Sequence, residues 1–244
     1  WLGFAGAVAA MALALALVWL LSLIMLRQDL GKASSKPAFR DIVSTSRAIN
    51  ILSAARLCLF GARDVWFVVA LPVFLSQTLG WNHGQTGGFL ALWVIGYGLV
   101  QSLAPRITGT RSGVVADGRA VTGWAAALTL LPGCIALGLL YKLDPAPLLI
   151  GGLLLFGAVF AVNSALHSYL IISYARSDGV SLDVGFYYMS NALGRLLGTL
   201  LSGWLFQVAG EGSVGLQACL WASLVLLLLA TVISARLPRY PRPT

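Results

Sequence analysis

Ile51-Leu-Ser-Ala-Ala-Arg56-Leu-Cys58-Leu-Phe-Gly-Ala-Arg63-Asp64-Val-Trp-Phe-Val-Val-Ala-Leu-Pro72-Val-Phe-Leu-Ser-Gln-Thr-Leu79 is the stretch whose reading decides the fold. It is apolar almost throughout, and its only charges are Arg56, Arg63 and Asp64. A helix crosses a hydrocarbon core about 30 Å thick with roughly 20 mostly apolar residues. A membrane β-strand would instead be an alternating segment of about ten residues. This run is too long and too continuous for a strand, so it predicts a transmembrane helix. A charge inside such a helix is costly and marks function by default.

Six more segments read the same way: Trp1–Leu26, Thr86–Ala104, Ala120–Leu140, Leu148–Tyr174, Val184–Ala209 and Val214–Ala235. The 244 residues are 59% hydrophobic and 10% charged, with a mean hydropathy of +0.87. A soluble domain is about 45–50% apolar and roughly 25% charged. The composition excludes a soluble globular enzyme and a disordered chain. The fold class is all-α, a polytopic transmembrane helix bundle whose first environment is membrane lipid.

Sixteen Lys+Arg against eight Asp+Glu give a net charge of +8. In a soluble chain that surplus would suggest nucleic acid; here it sets orientation, and no nucleic-acid partner is implied. Arg27, Lys32, Lys36, Arg40 and Arg47 lie on the first connection, Arg106, Arg111 and Arg119 on the third, Arg176 on the fifth, and Arg236, Arg239 and Arg242 in the tail. Only Lys142 falls on the other set. The positive-inside rule places those alternate connections and the C-terminus in the cytoplasm. The expectation is a multi-pass protein of a bacterial inner (plasma) membrane.

The longest connection separates two packing units. It holds Lys32-Ala-Ser-Ser-Lys36-Pro37 and an amphipathic stretch from Phe39 to Ile49. The division expected is a helix at 1–26, a central cytoplasmic loop at 27–50, a six-helix unit at 51–236 and a tail at 237–244. The chain opens on Trp1 inside an apolar run with no basic n-region, which argues against a secretory signal. That first helix reads as the last of a preceding unit. Six helices after a basic central loop match one half of a transporter built from two six-helix halves.

Arg63 and Asp64 come twelve and thirteen residues after Ile51, about 18–20 Å deep at ~1.5 Å per residue. Arg56 is seven residues before Arg63, so both guanidiniums share a face and make a track for an anion. The plainer reading of Arg56 is a side chain snorkelling to headgroups. Arg63 and Asp64 are neighbours, diverge by about 100° and are expected not to meet; Asp64 then pairs with Arg195. Arg195 lies eleven residues into its segment, with Asn191 one turn before it. Asn163 and His167 are one turn apart in the fifth segment. Substrate contact is therefore expected of Arg63, Arg195, Arg56, Asn191 and Asn163, and proton coupling or ion pairing of Asp64 and His167. His167 also reads as a buried, hydrogen-bonded histidine. Gly194, Gly198 and Ser202 form a small-residue ridge that lets helices approach closely, and Pro72 and Pro132 sit inside spans.

No nucleotide-binding, zinc-protease or nucleophile-elbow motif is present, so neither an enzyme nor a cofactor is expected. Cys58, Cys134 and Cys219 are too scattered for a disulfide framework and read as buried small hydrophobes.

The run from Asn50 through Phe60-Gly-Ala-Arg63-Asp64-Val-Trp-Phe67 to Pro72 resembles the seventh helix of the ArsJ organoarsenical exporters, members of the major facilitator superfamily. Gly87-Gly-Phe-Leu-Ala-Leu-Trp-Val-Ile-Gly-Tyr-Gly98 and Tyr188-Met-Ser-Asn-Ala-Leu-Gly-Arg195-Leu-Leu-Gly198 extend the likeness. Gly113-Val-Val-Ala-Asp117-Gly-Arg119 is a degenerate form of the superfamily's cytoplasmic G-x-x-x-D-R signature. The resemblance implies a twelve-helix transporter, represented here from its sixth helix onward. It implies secondary efflux of 1-arseno-3-phosphoglycerate, giving arsenate resistance, and a functional link to a cytoplasmic glyceraldehyde-3-phosphate dehydrogenase that makes the ester. Such a cargo is an oxyanion and calls for arginines, whereas trivalent arsenic would call for clustered thiolates. A major facilitator exporter of another metabolite or drug is the alternative; cationic drugs would need unpaired intramembrane acids. A non-transporting scaffold or a seven-helix receptor is the reading of a different class; a receptor would explain neither the basic loop nor Arg63 and Arg195.

Overall fold

The computed structural model describes residues 3–25, 44, 46–112, 116–175 and 180–238. Among them every regular element is a helix: α1 (Gly3–Met25), α2 (Arg47–Phe67), α3 (Ala70–Gln77), α4 (His83–Ile107), α5 (Gly118–Leu140), α6 (Pro145–Tyr174), α7 (Val180–Val208) and α8 (Gly212–Ser234), with a short 3-10 turn at Thr110–Ser112. Six stretches are long and apolar enough to cross a membrane: Ala5–Met25, Arg47–Gln77, His83–Ile107, Gly118–Leu140, Pro145–Tyr174 and Gly212–Ser234. The chain is thus an all-helical, multi-pass membrane protein by length and composition. The expected loop at 27–50 is shortened, because Arg47–Asn50 already belongs to α2. Arg27, Lys32, Lys36, Arg40, Arg176, Arg239 and Arg242 lie outside the described residues.

The sixth expected span, Val184–Ala209, is a helix of a different kind. At 29 residues α7 is long enough to cross, but it is not among the stretches that qualify by composition. Asp183, Ser190, Asn191, Arg195 and Ser202 dilute its apolar content. By contrast α1, which with its flanks forms one compact unit (Trp1–Phe39), has no polar face and carries no charged residue.

The second expected span is broken. Val68 and Val69 form a turn between α2 and α3. Pro72 has no N–H to give the Val68 carbonyl, and its ring crowds that carbonyl. The freed Ala70 N–H donates to Ser202 Oγ of α7 at 3.1 Å, so the interruption is satisfied inside the bundle. Three other helix starts are capped by side chains. Asn82 and Gln85 form a reciprocal capping box at α4. Asp117 accepts from the N–H groups of Arg119 and Ala120 at α5, and Asp144 accepts from Ala146 ahead of α6.

Within the larger unit (Arg40–Thr244), alternate helix ends gather on one side. Ser44, before α2, donates to Asp183 in the first turn of α7 at 2.6 Å. The Pro238 carbonyl, beyond α8, accepts from Gly118 N–H at the start of α5 and from Tyr174 Oη at the end of α6. The packing has an internal order. Exchange α2 with α6, α4 with α7 and α5 with α8: the contact of α2 with α7 becomes that of α6 with α4, α2 with α8 becomes α6 with α5, and α5 with α8 maps onto itself. These are the five most extensive helix contacts. Exchanged helices run in opposite directions, which is the pattern of an inverted three-helix repeat.

Two apolar clusters make the core. One holds Trp66, Phe74, Phe156, Phe160 and Leu220, and the other Ile49, Leu52, Leu166, Leu170 and Tyr187. On α2 Arg56 falls between them, after Leu52 and before Leu59.

Candidate functional site

The site is built where α7 crosses α2. An added Cβ on Gly194 would collide with the Leu57 carbonyl, and one on Gly198 would stand 2.6 Å from Gly61 O and 3.1 Å from Asp64 Cβ. The small-residue ridge therefore brings the two backbones together, as its spacing predicts. Close approach carries Asn191 and Arg195 of α7 up to the charged positions of α2.

Asp64 is the centre, with its side chain 1% exposed. Its Oδ1 accepts from Arg63 Nε at 2.6 Å and its Oδ2 from Arg195 Nε at 3.1 Å. The pairing with Arg195 follows the sequence reading. The contact with Arg63 corrects it: neighbours on a helix diverge at Cα, but an arginine side chain is long enough to curl back round the helix to the next residue's carboxylate. Arg63 is mostly buried at 13% side-chain exposure, whereas Arg195 is 56% exposed.

Arg56 is buried, which excludes the snorkelling alternative. Its Nε donates to Asn191 Oδ1 at 3.1 Å, and one terminal nitrogen donates to the carbonyl and the hydroxyl of Ser164, both at 3.2 Å. Its guanidinium carbon lies 4.0 Å from the Phe60 ring centroid and 5.1 Å from that of Tyr187. Arg63 lies over the same Phe60 ring at 4.9 Å and over Phe160 at 5.3 Å. The shared face expected from their seven-residue spacing is thus real, and an aromatic platform forms it.

Asn163 is fully buried, and its amide donates to the Trp124 and Val159 carbonyls, tying α6 to α5. Its Oδ1 and the Nδ1 of buried His167 have no hydrogen-bond partner. Asp117 is occupied as the cap of α5; Gly113–Val115 of its signature lie outside the described residues. Cys58 and Cys219 are buried but Cys134 is exposed, which corrects the expectation for that thiol. Among the described residues no metal-ligand cluster forms. Ser164, Phe60 and Phe160 join the site without being among the residues expected there. Phe60 carried a signal, four residues after Arg56 and three before Arg63; Ser164 carried none.

No protein-family model matches the chain, and no curated protein matches it.

Proposed function

We propose that the chain is part of a secondary exporter of organic anions, of major facilitator type. The cargo that best fits the likeness to the ArsJ exporters is 1-arseno-3-phosphoglycerate, whose efflux gives arsenate resistance. One observation carries the anion reading. Guanidiniums from two helices, Arg63 of α2 and Arg195 of α7, converge on the two oxygens of one carboxylate inside the bundle. Asp64 occupies the place an oxyanion would take, and guanidinium binds carboxylate, phosphate or arsenate oxygens by the same geometry. The inverted order of the helix contacts supports a transporter architecture. On this reading the protein is not an enzyme and lies in the bacterial inner membrane with its C-terminus in the cytoplasm. A glyceraldehyde-3-phosphate dehydrogenase supplies the cargo.

Co-expression with the dehydrogenase in an arsenate-sensitive host is the test. Arg63→Ala and Arg195→Ala should each abolish resistance at normal protein levels, and unchanged resistance refutes the reading. An exporter of a different anion would keep the arginine dependence in transport assays but gain nothing from the dehydrogenase.

A further inference from the structure

Arg56 differs from the other two arginines of the site in having no carboxylate. It is 4% exposed, and all its hydrogen-bond acceptors are neutral: Asn191 Oδ1, Ser164 O and Ser164 Oγ. The rings of Phe60 and Tyr187 also lie against it. A guanidinium cannot shed its proton, and an ion held out of water without a counter-charge is costly. Among the described residues the one carboxylate in contact with the cluster is Asp64, already shared between Arg63 and Arg195. Three guanidiniums against one carboxylate leave an excess of two positive charges. Arg56 and Arg63 lie 4.0 and 4.9 Å from the centroid of the same Phe60 ring, so they belong to one cluster. On α6, either side of Ser164, Asn163 Oδ1 and His167 Nδ1 are buried polar atoms without partners.

We propose that the cluster selects a dianion of the phosphate- or arsenate-monoester class over a monoanion, and that Arg56 reads the second charge. The inference rests on the anion reading and adds a charge requirement to it. The fold has already met the cost of stripping water from Arg56, so a ligand that brings one more negative charge recovers an interaction a monoanion leaves unused.

Titration calorimetry on the full chain in detergent micelles at pH 8 tests it, with glycerol 3-phosphate and its methyl diester as probes. At that pH the monoester carries about two negative charges, and the diester one. The monoester should bind about tenfold or more tightly, the factor expected of one additional charge-assisted hydrogen bond. Arg56→Gln should bring the two affinities together, and Arg56→Lys should keep them apart. Equal binding of both probes by the wild type, or a ratio unchanged in Arg56→Gln, overturns the proposal. Should Arg56→Gln fail to fold, the wild-type ratio and Arg56→Lys decide. Equal binding that Arg63→Gln abolishes overturns charge selection and leaves the anion reading standing; no binding of either probe overturns both. Phosphatidic acid mixed into the micelle presents the same headgroup on a lipid. Its competition would assign the dianion to lipid, and its failure to compete assigns it to a soluble ester.

Discussion

Asp64→Asn is the substitution that most directly probes the ion network, because it keeps the side chain's size and removes only its charge. The two arms of the network should respond unequally. The Arg63 arm joins a carboxylate at 1% exposure to a guanidinium at 13%, at 2.6 Å. A hydrogen bond to a charged group contributes about 1.5–3 kcal/mol, and stranding one member of a buried pair costs about 3–5 kcal/mol. The Arg195 arm is longer, at 3.1 Å, and its guanidinium is 56% exposed; on the transporter reading that exposed face lines a water-filled path rather than lipid, so screening reduces the arm to the range of surface pairs, about 0–1 kcal/mol. Asp64→Asn should therefore destabilise the fold by about 3 kcal/mol. In double-mutant cycles Asp64→Asn with Arg63→Gln should show a coupling of about 2 kcal/mol, and with Arg195→Gln less than about 1 kcal/mol. Equilibrium unfolding by SDS in mixed micelles, followed by circular dichroism, measures all three. A coupling to Arg195 as large as that to Arg63, or no loss of stability in Asp64→Asn, would refute the reasoning.

Gly198→Ala should cost about 1–3 kcal/mol, because the new methyl meets Gly61 O at 2.6 Å and the helix crossing must widen. Gly203→Ala on the same helix, where the nearest atom is 4.0 Å away, should be neutral or stabilising by up to about 1 kcal/mol; thermal melts in detergent compare the two. His167→Gln should weaken uptake of a labelled anion driven by an imposed pH gradient in everted vesicles, and undiminished uptake makes His167 a packing residue.

The helices were legible because each needs a long apolar run, and such runs stand out against any polar connection. The charged cluster was legible at Arg56, Arg63, Asp64 and Arg195 because charges are so costly inside an apolar helix. Pairings were less so. Cα directions separate Arg63 from Asp64, and the reach of the arginine side chain overrides them. Asn191 and Arg195 share a face of α7, as their spacing requires, yet one bonds Arg56 and the other Asp64. That division follows from the register of α7 on α2, which the glycine contacts set and no single segment reveals. Pro72 announced a disturbance, but its site at Val68–Val69 and its repair by Ser202 depend on a helix more than a hundred residues away.

The polarity of α7 has a structural reason. Its buried small and polar positions, Ser190, Gly194, Gly198 and Ser202, recur every four residues, and the contacts of Gly194, Gly198 and Ser202 place that row against α2 and α3. The helix is short of apolar residues because one whole face is given to this crossing. The consequence falls on Asp64. Arg63 and Asp64 belong to one helix, so their contact survives any rigid displacement of α7. Arg195 arrives from α7 on an exposed side chain, and its hold on Asp64 lasts only as long as the crossing keeps its register. A small rotation of α7 would break the Asp64–Arg195 and Arg56–Asn191 contacts together while leaving Arg63 paired. The network thus has one fixed arm and one that reports the position of a neighbouring helix, and on the proposed anion reading it is the second that a cargo would compete for.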